Sequence, residues 1–250
     1  MIFITGATSG IGEATARKFA KEGNDLLLIA RRSEKLKLLE NEFTRLGVKV
    51  KTSVLDVRNL EDIKKWEIEN KKILEEVTVL VNNAGLAKGM TNFQDSVPEE
   101  WKEMIDTNIY GVLHFTHLLL PYFLKKNDGH IVNLGSVAGR WNYAKGNIYC
   151  ATKAAIHAFS ESLRLDLLGK NIRVTEISPG LVETEFSTVR FNGDKEKAKR
   201  VYTGIKALTA EDISEAIYWS VKVPKHMNVQ EMILYPVHQA SPSQIHRGTE

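Results

Sequence analysis

Residues 2–12, Ile2-Phe3-Ile4-Thr5-Gly6-Ala7-Thr8-Ser9-Gly10-Ile11-Gly12, decide how this sequence folds. A short apolar run ends in a glycine-rich turn. Residues 11–22 then carry helical spacing, with Ile11, Ala14, Phe19 and Ala20 on or near one face. A strand, a glycine turn and a helix together let the backbone approach a phosphate closely. The helix N-terminus then points its N–H groups and positive dipole end at that phosphate. The spacing is G-x-x-x-G-x-G rather than G-x-G-x-x-G, so alone it is a moderately specific signal. An ordinary strand-to-helix turn is the plain alternative, and it gives no reason for glycines at 6, 10 and 12.

Gly23 stops the first helix, and Leu26-Leu27-Leu28-Ile29 follows as a continuous apolar run. Such a run suits a strand buried on both faces. Leu36, Leu39, Phe43 and Leu46 predict a helix over 34–46, with Gly47 as its stop. Further strands are expected at Val50–Leu55, Val77–Val81, His130–Leu134, Ile172–Ile177 and Glu231–Pro236. Helices are expected at about 60–73, 99–125, 148–168 and 210–222. Regular alternation of strand and helix predicts an α/β fold. The expected form is a Rossmann-type doubly wound parallel sheet of about seven strands with helices on both faces. A closed eight-fold barrel is the rival, and it does not explain a glycine cluster after the first strand. No linker or repeat divides the chain, so residues 1–250 are expected to form one domain.

The composition excludes several classes. Of 250 residues, 43% are hydrophobic and 26% charged, as in ordinary globular proteins rather than disordered ones. Lys plus Arg is 34 and Asp plus Glu 31, a net charge of +3, which gives a nucleic-acid partner little room. With one cysteine, no internal disulfide and no Cys-based zinc site can form. No apolar run reaches the ~18 residues of a membrane span, and no signal peptide is visible, so a cytoplasmic protein without a membrane partner is expected.

Two further constellations carry chemistry. At the end of the second strand, where an acid would bind a ribose 2′-OH, the sequence reads Ala30-Arg31-Arg32. Guanidinium groups suit a 2′-phosphate, which points to NADP(H). A solvated basic helix start is the alternative, disfavoured by the helix dipole. Tyr149 and Lys153, four apart, lie on one helix face, with Ser136 at the end of the fifth strand. A free tyrosine has a pKa of ~10 and is a poor base at neutral pH. A nearby ammonium would favour the phenolate, and the Ser136 hydroxyl could hold a substrate carbonyl oxygen.

These motifs together resemble the short-chain dehydrogenase/reductase family over almost the whole chain. The matching positions are Thr5-Gly6-x-x-x-Gly10-x-Gly12, Asp56-Val57, Asn82-Asn83-Ala84-Gly85, Asn108, Gly135-Ser136, Tyr149-x-x-x-Lys153, and Pro179-Gly180 with Thr184. The resemblance implies a role for each. Tyr149 would be the general acid/base. Lys153 would bind the nicotinamide ribose and lower the tyrosine pKa. Ser136 would orient the substrate oxygen, and Asn108 would hold a water for proton relay. The cofactor would lie along Gly6, Thr8, Ser9, Gly10, Ile11 and Gly12, with Asp56 and Val57 at the adenine. Asn82, Ala84 and Gly85 would line it further on. Pro179, Gly180, Val182 and Thr184 would sit around the nicotinamide carboxamide. Ser9, Arg31 and Arg32 would take the 2′-phosphate.

The segment from Leu181 to Lys195 and the tail Tyr235-Pro236-Val237 resemble a subgroup of that family. Its members are NADP-dependent 3-hydroxy acid dehydrogenases acting on serine, allo-threonine or 3-hydroxypropionate-like substrates. The resemblance implies a homotetramer, a substrate-covering segment at about 183–208, and substrate contacts from Ser136, Asn147 and Arg190. Arg190 is expected either to pair with a substrate carboxylate or to anchor the covering segment. A broad-specificity NADPH carbonyl reductase of diketones, aldehydes or lipid carbonyls is the alternative function. A catalytically silent NADP-binding regulator is a third, disfavoured by the intact Ser136, Tyr149, Lys153 and Asn108. His114 and His117 are three apart, but no third ligand is spaced to join them, so no metal is expected. Cys150 lies ~100° round the helix from Tyr149 and reads as a packing residue.

Overall fold

The computed structural model describes residues 1–248. Its strands are β1 (Ile2–Thr5), β2 (Leu26–Ala30), β3 (Val50–Val54), β4 (Val79–Asn82), β5 (Gly129–Leu134), β6 (Ile172–Pro179) and β7 (Glu231–Leu234). Its helices are α1 (Gly10–Lys21), α2 (Ser33–Arg45), α3 (Leu60–Leu74), α4 (Pro98–Ile105), α5 (Gly111–Lys126), α6 (Asn147–Asp166), α7 (Glu185–Arg190), α8 (Lys195–Arg200) and α9 (Ala210–Lys222). The strands form one parallel sheet in the order β3-β2-β1-β4-β5-β6-β7.

The apolar runs are continuous because both sheet faces are covered. Along β1, Ile2 and Ile4 face one side and Phe3 the other. On the first side Phe19, Leu36, Leu39, Phe43, Ile213 and Ile217 from α1, α2 and α9 close the core. On the other, Ile63, Trp66, Phe115, Leu119, Phe123 and Leu163 from α3, α5 and α6 do so. Phe3 meets the edge of Phe115 with ring centroids 5.4 Å apart. The strand order reverses between β1 and β4, so the connections that leave them run to opposite sides and a crevice lies outside their carboxyl ends.

The helix expected at about 99–125 spans Pro98 to Lys126, but a five-residue π turn, Asp106–Tyr110, separates α4 from α5. The cause is a long-range bond pair that periodicity cannot show. Asn108 Nδ2 donates to Leu86 O and its Oδ1 accepts from Leu86 N, both at 2.8 Å. Holding that side chain against the chain after β4 widens the helix by one residue.

Between β6 and α9 the chain leaves the sheet and returns. Glu183 N donates to Leu208 O at 2.8 Å and Leu208 N to Leu181 O at 3.0 Å, so the two ends of this excursion are pinned side by side. Within it, α7 and α8 are capped by Thr184 and Asp194. Thr209 and Asp212 form a reciprocal capping box that starts α9. The charge run Lys195–Arg200 is the helix α8, solvated except at Ala198.

Candidate active site

A cavity of about 750 Å³ lies at the carboxyl ends of the strands. Its first wall is the turn from β1 into α1. Gly6 and Gly10 have φ of +66° and +50°, a region that disfavours any side chain. Thr5 Oγ1 accepts from Asn83 N and Ala84 N, and Asn83 Nδ2 donates to the carbonyls of Thr5 and Gly6. The loops after β1 and β4 are thereby fixed to each other. Gly12 serves this joint, since a methyl group there would collide with Asn83 Nδ2 and Gly6 O. Gly12→Ala is expected to destabilise the fold by about 1–3 kcal/mol, the usual range for overpacking. A thermal melt and a cofactor titration, compared with wild type, check it.

The second wall is basic. Arg32 Nε donates to Thr8 Oγ1 at 3.1 Å and Nη2 to Thr8 O at 2.7 Å, while Nη1 pairs with Glu185 at 2.9 Å. Lys35 joins Glu185 at 3.3 Å. Arg31 is exposed and lies 4.0 Å from Asp56. Burial works against ionisation of Asp56, but hydrogen bonds from Arg58 and the charge of Arg31 outweigh it and hold the carboxyl below its ordinary range.

At the centre are Ser136, Tyr149 and Lys153, all lining the cavity. Ser136 lies two residues beyond β5, and its Oγ accepts from Ala138 N at 3.1 Å. Its own proton is therefore left for another partner, and the Ser136 hydroxyl acts to lower the pKa of the Tyr149 phenol. Tyr149 lies in the first turn of α6 and Lys153 one turn on. Burial, aided by Tyr143, pushes the Tyr149 phenol up to about 12; Arg190 and the Ser136 hydrogen bond oppose this. Burial pushes the Lys153 ammonium down to about 8, and Glu176 opposes that. Lys153 Nζ donates to Leu134 O at 2.6 Å.

The third wall comes from residues 183–208. Arg190, at the end of α7, reaches over Tyr149. Its Cζ lies 4.9 Å from the Tyr149 ring centroid and 5.3 Å from that of Phe186. Nη2 donates to Tyr143 Oη at 2.8 Å, while Nε is buried without a partner. Among the described residues Arg190 has no carboxylate partner. Tyr202 Oη donates to Val182 O, and Gln239 Oε1 accepts from Leu181 N, which fixes the loop after β6.

Of the residues expected at the site, Gly6, Thr8, Ser9, Gly10, Ile11, Arg31, Arg32, Asp56, Val57, Ala84, Gly85, Pro179, Gly180, Val182, Thr184 and Arg190 line the same cavity. Four expected residues do not. Asn82 is the last residue of β4, and its side chain turns inward to Thr116 Oγ1 and Asn133 Oδ1. Asn83 lines the cavity instead. Gly12 packs behind the turn, as above. Asn147 bonds Thr91 O at 3.2 Å on the outer side of α6 and lines no part of the cavity. Asn108 lies behind the wall, its amide spent on Leu86 and Thr152. The π turn frees backbone groups from the regular ladder at that residue. Tyr143, Phe186, Tyr202 and Gln239 line the cavity and carry no motif that spacing could reveal. His114 bonds Val57 O, and Cys150 is buried, away from the cavity lining.

Comparison with known proteins agrees with this geometry. A family model described as short chain dehydrogenase matches residues 1–195. The chain is 46% identical over 241 residues to the NADP-dependent 3-hydroxy acid dehydrogenase YdfG of Salmonella typhi, covering 96% of each chain. It is 43% identical over 241 residues to sulfoacetaldehyde reductase 2 of Chromohalobacter salexigens, covering 96% of this chain and 95% of that one. Among solved structures, the closed form of serine dehydrogenase complexed with NADP+ superposes with a TM-score of 0.92 at 43% identity, covering 98% and 99% of the two chains. The match spans more than half the chain and includes the glycine turn, Ser136, Tyr149 and Lys153: the chain belongs to the short-chain dehydrogenase family.

Proposed function

We propose that this protein is an NADP(H)-dependent oxidoreductase. It interconverts the hydroxyl of a small 3-hydroxy acid, of the serine, allo-threonine or 3-hydroxypropionate type, with the corresponding carbonyl. The observation that carries the substrate class is Arg190. A guanidinium without a carboxylate partner, caged by aromatic rings beside Tyr149, is a receptor for a small anion held next to the reacting carbon. The relatives' names support a short anionic substrate.

The cradle fits the cofactor. Gly6 and Gly10 keep two positions of the first turn clear of side chains, and the N-terminus of α1 is suited to a pyrophosphate. No acid stands at position 30 to repel a 2′-phosphate, and Arg31, Arg32 and Ser9 line that end. When bound there, the nicotinamide accepts or supplies a hydride. The chain's own residues do the rest. In oxidation, Tyr149 as phenolate takes the substrate hydroxyl proton, while Ser136 holds the oxygen as it becomes a carbonyl. Lys153 places its positive charge nearby. In reduction Tyr149 returns the proton. Residues 1–250 act as one oxidoreductase domain, and the segment 183–208 covers the substrate and excludes water. Tyr110, Leu124, Leu165 and Leu168, exposed on or beside α5 and α6, support a homotetramer built on those helices.

The test is a panel of 3-hydroxy acids, sulfonates and neutral carbonyls, assayed with NADP(H) and NAD(H) in parallel. Preference for carboxylates supports this reading; equal turnover of neutral diketones or aldehydes favours a broad carbonyl reductase. The expected cofactor preference is at least tenfold for NADP, since a charged hydrogen bond is worth ~1.5–3 kcal/mol. Ala30→Asp combined with Arg31→Ala should move kcat/KM toward NAD. Equal kcat/KM for the two cofactors in the unmodified enzyme would remove the role given to the arginines.

A further inference from the structure

We infer that Glu176 is a positioning residue for this reaction: a buried counter-charge to Lys153, held against the same Leu134–Gly135 peptide unit. This rests on the role given to Lys153 above.

Glu176 lies in β6 and is 1% exposed. A carboxylate so deep is expensive to bury unless its oxygens are satisfied. Ser178 Oγ donates to Oε1 at 2.9 Å and His157 Nδ1 to Oε2 at 2.8 Å. The carboxylate presses on Gly135, where a methyl group would collide with Oε1. Lys153 Nζ donates to the carbonyl of Leu134, the other half of the same peptide unit. The anion and the cation are thus held against one stretch of backbone, the stretch that also carries Ser136. Glu176 is the one charge that raises the Lys153 pKa against its burial.

The surrounding charges make a closed set. His157 lies one turn beyond Lys153 on α6, and its Nε2 is 3.5 Å from the exposed Glu161. From β7, Glu231 approaches His157 and Glu176. Arg140, in the loop after β5, forks onto Glu231 through both Nε and Nη2. His157, Glu176 and Glu231 have metal-ligand chemistry and their ligand atoms lie within 4.8 Å of one another. Arg140 already supplies the cation for Glu231, and His157 the hydrogen bond for Glu176. Lys153, bound to Leu134 O beside the Gly135 that the carboxylate touches, is the nearby cation on the active-site side.

Glu176→Gln keeps the shape and removes the charge. Without its counter-charge, Lys153 loses its proton at lower pH. Less positive charge then supports the Tyr149 phenolate. The rising limb of kcat/KM for oxidation should therefore move to higher pH, by about 0.5–1 unit. NADPH affinity at neutral pH should fall with it. His157→Leu reaches the same state by another route. It removes one of the two hydrogen bonds that compensate the buried negative charge. The same displacement is expected, and it decides the matter if Glu176→Gln does not fold. Lys153→Met is the control: if it retains full activity, the reading of Lys153 fails rather than this one. Profiles of the Glu176 and His157 variants that superpose on wild type would overturn the inference. So would a uniform loss at every pH, which marks a merely structural role.

Discussion

Tyr149→Phe is expected to lower kcat by about 10²–10⁴-fold, the range for a positioned acid/base. The ring of Tyr149 packs against Phe186, with centroids 5.6 Å apart, and lies under Arg190. Phenylalanine preserves both contacts. Ser136 Oγ keeps its bond from Ala138 N. The variant should therefore melt like wild type and bind NADPH normally, so that the loss falls on the chemical step. The pH dependence separates the two directions. Burial pushes the phenol up to about 12, above its ordinary value of 10, so the proton stays on throughout the neutral range. Reduction needs that proton and should vary little with pH up to mildly alkaline conditions. Oxidation needs the phenolate, the minor form, so its kcat/KM should climb as pH rises. In Tyr149→Phe this climb should vanish with the activity. Near wild-type turnover in the variant would remove Tyr149 from the reaction.

The backbone of the site was legible because its requirements are local. A turn with positive φ at Gly6 and Gly10 is written in those residues themselves. A helix bearing Tyr149 and Lys153 on one face follows from a four-residue spacing. What was lost depends on direction or distance. Asn82 and Asn83 are adjacent and chemically identical, and only strand alternation separates the inward side chain from the cavity-facing one. The apolar run ends at Val81, one residue before the observed strand end at Asn82, and that offset hides the alternation. The π turn at Asn108 is set by Leu86, twenty-two residues away, and no periodicity records it. Gly12 was read as a cofactor contact because its role, room for Asn83 Nδ2, exists only after two loops meet. Asn147 sits beside Tyr149 in sequence, yet a position two residues earlier on a helix points ~200° away. Tyr143 lies in a loop without repeat or motif, and only the fold brings it to Arg190.

Arg190→Ala is expected to cost about 2–5 kcal/mol in kcat/KM for a 3-hydroxy acid, or about 30-fold to several thousand-fold. Tyr143, Tyr149 and Phe186 lie around the guanidinium, and Tyr143 Oη takes one of its N–H groups. Nε is buried without a partner, so the group has capacity left for an anion. Truncation leaves the substrate carboxylate without its partner in a partly closed site and loosens the orientation of the reacting carbon. A second effect runs alongside. Arg190 is the cation that opposes the rise in the Tyr149 pKa, so its removal makes the phenolate scarcer. That change slows the oxidation of any substrate, charged or neutral, and moves its pH profile to the alkaline side. The decisive quantity is therefore a ratio. The loss on a 3-hydroxy acid should exceed the loss on its methyl ester by tenfold or more. Arg190→Lys should restore part of it, because a point charge replaces the fork. Equal losses on acid and ester would confine Arg190 to the closed segment and to Tyr149. The anion-binding reading would then fall, and a broad carbonyl reductase would be the better account of the cavity.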